Sequence, residues 1–307
     1  MFGFLAIFIG ALSAVQSRIN GQLSRDIHNG LAAALISFTT GWVILFVLVF
    51  GLKKERDGLF TIFLALIHRK FRYWEAMAGV MGGFFVSVQS ITVPQIGVAL
   101  FTISTVAGQT SASLLVDKIG LSPSGKKRVT LSRVFVATAT LFSVAVAVFP
   151  DLRHSTFKFI PLFLSLLVGI TIAFQQAING RLNAVAKSPL ATTWMNFATG
   201  GLVIFVALCF TLLRGGNIGP LPHNIWLYTG GSIGVIFVAV SALIIKNLGV
   251  LNFILFSVTG QLIGAVLLDW LAPARVGALS GYLITGTLMT LLSIAFSRFY
   301  EARKIRI

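Results

Sequence analysis

The chain has 307 residues, 56% of them hydrophobic and 10% charged, with a mean hydropathy of +0.93. A soluble domain carries about 25% charged residues because its surface must face water, so a water-soluble globular protein is excluded. The net charge of +16 could suggest nucleic acid, but the Lys and Arg residues fall between apolar runs, where orientation during membrane insertion needs them; no nucleic-acid partner is expected.

Apolar windows of about twenty residues, the length that crosses roughly 30 Å of hydrocarbon, predict ten helices. They fall at 2–22, 30–50, 73–93, 96–116, 131–149, 159–179, 189–213, 224–245, 249–270 and 278–297. The first has no basic segment before it and no small-residue cleavage site after it, so it reads as a span and not as a removed signal. Between the second and third, LFTIFLALIH at 59–68 is too short to span and is expected at the interface. Pro94 and Gln95 predict the turn between the third and fourth. Cys209 lies inside the seventh run, which leaves no disulfide or cysteine-based metal site within one chain. No cofactor and no metal are expected, and signatures such as H-E-x-x-H, G-x-S-x-G and Walker A are absent.

The basic residues set the orientation. The side holding both termini carries Lys53, Lys54, Arg56, Arg69, Lys70 and Arg72, then Lys118, Lys126, Lys127, Arg128 and Arg133. It also carries Arg181, Lys187, Lys246, Arg298, Arg303, Lys304 and Arg306. The other side has Arg18, Arg25, Arg153, Lys158, Arg214 and Arg275. A split of 18 to 6 places both termini in the cytoplasm under the positive-inside rule. The basic cytoplasmic loops are expected to meet anionic lipids of the bilayer.

A polar knot occurs twice, as QSRINGQLS at 16–24 and QQAINGRLN at 175–183. Gln16, Asn20 and Gly21 match Gln175, Asn179 and Gly180 at an offset of 159, which also carries Gly41 onto Gly200. Past the loop after the second span the offset becomes 152. It then pairs Trp74 with Trp226, Gly82 with Gly234, Gly97 with Gly249, Gly108-Gln109 with Gly260-Gln261, and Asp117 with Asp269. Each half holds five spans. Five is odd, so the second half enters the membrane upside down. The expected fold is an all-α membrane protein of ten transmembrane helices arranged as two inverted five-helix repeats, the first over 1–150 and the second over 151–307.

The five-plus-five pattern resembles the drug/metabolite transporter superfamily. The Q-x-x-x-N-G-x-L stretch ending the first span, with F-x-T-G in the second, is similar to its YdcZ-like branch. The resemblance covers essentially the whole chain as two fused copies. Branch members also occur as single five-span halves, which implies pairing of opposed halves, and a homodimer stays open as a partner.

Polar residues inside apolar helices are candidates for function. Gln16 and Asn20 share one helical face, as do Gln175 and Asn179. They read either as symmetry-related amides that bind substrate or as interhelical glue, with Asn-Gly simply ending the span. Gln109 and Gln261 follow glycines deep in the fourth and ninth spans, and Asn196 has Ser37 as its counterpart. All are candidate pathway residues. Ser87, Gln89 and Ser90 form a further polar patch in the third span.

Asp117 and Asp269 close the fourth and ninth spans, where a titrating carboxylate could couple transport to protons. Their place at the last turn favours a structural or topological role, with Lys118 or Arg275 keeping them charged. Glu75 reads as an interfacial anchor. The resemblance sets a mid-membrane Glu in small multidrug transporters of the superfamily, and no span here has an acid at its middle. Phe38 matches Phe197 and Phe101 matches Phe253, yet most Phe in lipid face acyl chains. Gly79, Gly82, Gly83, Gly231 and Gly234 read as packing positions.

The expected function is a secondary transporter of a small metabolite or amphipathic compound in the cytoplasmic (inner) membrane, not an enzyme. It would work by alternating access, and the resemblance implies export. A passive channel and a non-transporting scaffold stay open as alternatives.

Overall fold

The computed structural model describes residues 2–121, 125–126, 128–149, 158–248, 250–273 and 279–304. Of the residues singled out above, Lys127, Arg153, Gly249, Arg275 and Arg306 lie outside the described residues. Every described element is helical. The helices are α1 (Phe2–Asp26), α2 (Gly30–Gly51), α3 (Lys53–Ile67), α4 (Tyr73–Ala76), α5 (Gly79–Ile96), α6 (Val98–Ile119) and α7 (Leu131–Val148) in the first half. The second half has α8 (Phe159–Ala186), α9 (Pro189–Leu213), α10 (Gly230–Leu248), α11 (Val250–Leu271) and α12 (Gly281–Lys304). Among the described residues, seven stretches are long and apolar enough to cross a membrane: α1, α2, α4–α5 taken together, α6, α7, α8 and α9. Shorter apolar stretches cover 256–271 and 281–296.

The exterior is apolar. Phe4, Leu131 and Leu213 are 80%, 85% and 87% exposed, and many large apolar side chains accompany them. Such a surface suits acyl chains and not water. The interior is closest around the α5–α6 hairpin, where Val93, Ile96, Val98, Ala99, Phe101 and Ile103 are all buried.

Several boundaries differ from the sequence expectation, each for a physical reason. α1 runs to Asp26 and α8 to Ala186, so both Asn-Gly pairs lie inside their helices and end nothing. Gly21 keeps its place because a Cβ there would lie 2.7 Å from the Val93 side chain. Pro94 sits in the last turn of α5, and the reversal into α6 is made by Gly97 at φ 85°. A proline near a helix end forfeits little hydrogen bonding, whereas a positive φ selects glycine. The third span is broken at Met77 and Ala78, leaving α4 as a separate turn.

α3 is a helix of 15 residues that buries Leu59, Ile62 and Ala65 while Phe60, Leu64 and Ile67 stay 55–71% exposed. One face packs on the bundle and another is free for the membrane boundary. α2 and α9 start on repeat-related caps. Asn29 accepts from the Ala32 N–H at 2.9 Å and Ser188 from the Ala191 N–H at 3.0 Å, each satisfying one of the unpaired donors of a first turn.

Contacts between the two halves come in reciprocal pairs. Gly10 lies against the Ser257 backbone, and its repeat mate Gly169 lies against Thr105, the mate of Ser257. Gly260 meets Ile7 just as Gly108 meets Leu166. Gly41 abuts Phe197 as Gly200 abuts Phe38. In each case residue i of one half touches the mate of j while the mate of i touches j, the pattern of a two-fold interface. None of these glycines has room for a Cβ, so glycine here is what lets the helix backbones meet.

Candidate functional site

Where the two halves meet, a cavity of about 280 Å³ opens between α1, α2, α5 and α6 on one side and α8, α9, α10 and α11 on the other. Its polar lining includes Gln16, Gln109, Gln175, Asn196 and Gln261, five of the seven amides expected from sequence to bind substrate. Serine and threonine hydroxyls from Ser17, Ser37, Thr102, Thr105 and Ser257 join them. No charged side chain is among the described residues that line it.

The glutamine amides at 16, 175 and 261 hydrogen-bond to no described protein group, even though Gln175 is only 9% exposed. An amide in that position costs free energy unless water or a ligand meets it. Room for two of these amides comes from glycine. A Cβ on Gly82 would lie 2.7 Å from Gln175 Nε2, and one on Gly234 would lie 3.1 Å from Gln16 Nε2. Gly79, Gly83 and Gly231, by contrast, face backbone atoms of a neighbouring helix. The expectation of packing for all five therefore holds for three, while Gly82 and Gly234 shape the cavity.

Gln109 Nε2 donates to Gln176 Oε1 at 3.0 Å across the two halves. Sequence reasoning misses Gln176. Its repeat mate is Ser17, so comparison of the halves passes over it, although it stands beside Gln175 and also lines the cavity.

The apolar walls are aromatic. Phe38 and Phe197 lie with centroids 4.9 Å apart and planes inclined by 31°. Two repeat-related pairs accompany them, Phe85–Phe101 at 5.8 Å and 59°, and Phe237–Phe253 at 6.2 Å and 58°. All six rings line the cavity. Sequence reasoning assigns most Phe to lipid, and only the fold separates these six from the rest.

Asn20 and Asn179 do not line the cavity. Asn20 is fully buried and its Nδ2 donates to Gln89 Oε1 at 2.9 Å, while Gln89 Nε2 donates to Ser17 Oγ at 2.7 Å. This chain of hydrogen bonds ties α1 to α5. Asn179 Oδ1 accepts from Asn196 Nδ2 at 2.9 Å, and Asn196 Nδ2 also reaches the Thr192 carbonyl at 3.0 Å. For this pair of asparagines, the interhelical tie matches the contacts.

The acids lie at the ends of the bundle. Asp269 is 2% exposed and accepts from the Val98 N–H at 3.1 Å and the Ala99 N–H at 2.7 Å. It thus caps the start of α6, where a carboxylate meets the positive end of the helix dipole. Asp117 pairs with Arg133 of α7 and not with the adjacent Lys118. Glu75, expected as an interfacial anchor, is buried. At 1% exposure it accepts from the Arg72 N–H at 3.1 Å and stands 2.9 Å from Arg181 Nη1 of the other half. The Arg181 contact is one of charge at close range, without an aligned N–H. Burial of a carboxylate requires such a partner; no local pattern announces it, because Arg181 is 106 residues away.

An apolar helical bundle that encloses a neutral polar cavity at the meeting of two similar halves is the build of a membrane transport protein. Residues 1–146 and 160–296 each match the family described as "Putative inner membrane exporter, YdcZ", and the chain belongs to this family. It is a membrane exporter family, with the small-molecule cargo and bilayer setting this implies. A solved crystal structure, described only as "Crystal structure of protein", is similar over 100% of this chain and 98% of its own, at TM-score 0.56 and 16% identity. That likeness concerns the fold alone. No curated protein matches the sequence.

Proposed function

We propose that the protein is a secondary transporter that exports a small metabolite by alternating access, with 1–150 and 151–307 acting as inverted five-helix repeats that rock about the central cavity. The observation that carries this reading is the lining itself. Gln16 and Gln175, Gln109 and Gln261, Ser37 and Asn196, Phe38 and Phe197 are repeat mates that meet in one cavity. A site at a repeat interface can be offered to either side by the same motion run in either half.

The acids support the same reading. Asp269 caps α6, whereas its mate Asp117 is held by Arg133 among the described residues. The two repeat-related acids thus have different described partners. Exchange of these arrangements would carry the protein to its opposite-facing state, with Asp117 capping α11 and Asp269 released. In this scheme the two acids are latches at the helix ends, and neither needs to carry a proton.

Transport is tested in proteoliposomes with a labelled solute first identified by its stabilisation of the purified protein, since a ligand of the folded state raises apparent stability. Uptake should saturate and should accelerate when unlabelled solute is loaded on the far side. Unsaturable flux that ignores the far side would establish a passive pore instead, and no flux of a tightly bound solute would establish a scaffold. Orientation is tested independently. Single cysteines at Lys126 and near the C-terminus, in a chain with Cys209 replaced, should both label only from the cytoplasmic side; labelling from opposite sides would refute the inverted arrangement.

A further inference from the structure

We propose that the cargo is an uncharged, flat heterocycle or aromatic amide, recognised by stacking on phenylalanine and by amide-to-amide pairing with Gln16 and Gln175. This rests on the transporter reading for its meaning as cargo, but the binding chemistry stands on the cavity alone. Size sets the first limit. At about 280 Å³ the cavity lies just under the usual range for drug-sized ligands of about 300–1,000 Å³, a volume that suits one or two fused rings.

Charge sets the second limit. The lining offers amides and hydroxyls but no ion to neutralise a charged guest. The described ion pairs, Glu75 with Arg181 and Asp117 with Arg133, and the α6-capping Asp269 are not among the residues that line the cavity. Bringing a lone carboxylate or ammonium into such a site costs far more than a few hydrogen bonds return.

Shape and hydrogen bonding set the third. Phe85–Phe101, Phe38–Phe197 and Phe237–Phe253 bring six tilted rings to the lining, and aromatic faces favour offset stacking with a flat guest. Gln16 and Gln175 have amides without partners among the described residues, each beside a glycine. A primary amide presents a donor and an acceptor side by side. Its complement is a ligand edge with acceptor and donor in the reverse order, as in a lactam, a cyclic imide or another primary amide. Sugars lack the flat face, hydrocarbons lack the edge, and carboxylates lack the donor.

Nicotinamide, nicotinate, toluene and glucose separate these features in a titration of melting temperature and ligand affinity on the purified full-length protein. Nicotinamide should bind saturably and raise the melting temperature, with nicotinate, toluene and glucose at least about tenfold weaker. In the Gln16→Leu, Gln175→Leu double variant the nicotinamide affinity should fall about tenfold, the order of one to two lost hydrogen bonds, while toluene binding is kept or improved. Retained toluene binding shows that the variant is folded. Equal binding of nicotinate, nicotinamide binding unchanged in the double variant, or no binding of nicotinamide at millimolar concentration would each overturn the proposal. Failure here leaves saturable transport of some other solute intact, and failure of saturable transport leaves the binding preference intact, so the two readings fall separately.

Discussion

Replacing both Gln109 and Gln261 with leucine should reduce saturable transport by at least about tenfold while the protein still inserts and folds. Both amides line the central cavity, and they are related by the repeat. Leucine suits a membrane helix, so neither substitution introduces a group that lipid or the bundle rejects. The double change removes the hydrogen bond from Gln109 to Gln176 at 3.0 Å, worth roughly 0.6 kcal/mol between membrane helices. Gln261 forfeits no described hydrogen bond. A large loss of activity against so small a loss of stability places the two residues in the pathway. Measuring melting temperature and uptake on the same preparation decides the matter: activity that declines only in step with stability makes them ties, and full transport removes them from the pathway.

The second large effect is a contrast between two kinds of glycine. Gly10→Ala, Gly108→Ala, Gly169→Ala and Gly260→Ala should each destabilise the fold by about 1–3 kcal/mol. In all four the new Cβ would meet a backbone carbonyl of a crossing helix, which cannot give way without moving the whole helix. Gly82→Ala and Gly234→Ala should leave stability nearly unchanged, because their Cβ atoms would meet the amide ends of Gln175 and Gln16. A flexible side chain rotates aside at little cost. Transport should nevertheless fall, since the displaced amide no longer faces the cavity. Thermal melts of the six variants read the first claim, and uptake by Gly82→Ala and Gly234→Ala reads the second. Equal destabilisation by both groups would show that Gly82 and Gly234 serve packing alone.

Much of the architecture is legible because the bilayer is a demanding solvent. Hydrocarbon excludes unsatisfied backbone groups, so long apolar windows can only be helices. Helix ends are less legible, since nothing in periodicity reveals when a polar segment such as 176–186 continues a helix beyond its apolar part. Proline is a strong local signal and points to a turn at Pro94 and Gln95, yet the chain reverses at Gly97. A glycine at positive φ shows its necessity only in three dimensions.

Within the candidate site, Gln16, Gln109, Gln175, Gln261 and Asn196 can be named in advance because deep amides are rare in apolar helices and recur at fixed offsets. Gln176 and the six cavity phenylalanines cannot. A phenylalanine facing lipid and one facing a cavity are identical in sequence, and burial depends on how two helices cross. Asn20 and Gln16 share one helix face yet part company in the fold, the first meeting Gln89 and the second the cavity.

By itself the sequence determined that this is a helical membrane protein of two similar halves, because composition, apolar run length and repeat offsets are local quantities summed along the chain. The tertiary structure decided which residues face one another: that Asp269 caps α6 while Asp117 holds Arg133, that Glu75 finds Arg181, and that three glutamine amides remain open in an aromatic cavity. Those outcomes depend on pairings between segments tens to hundreds of residues apart, and no property of one segment encodes its partner.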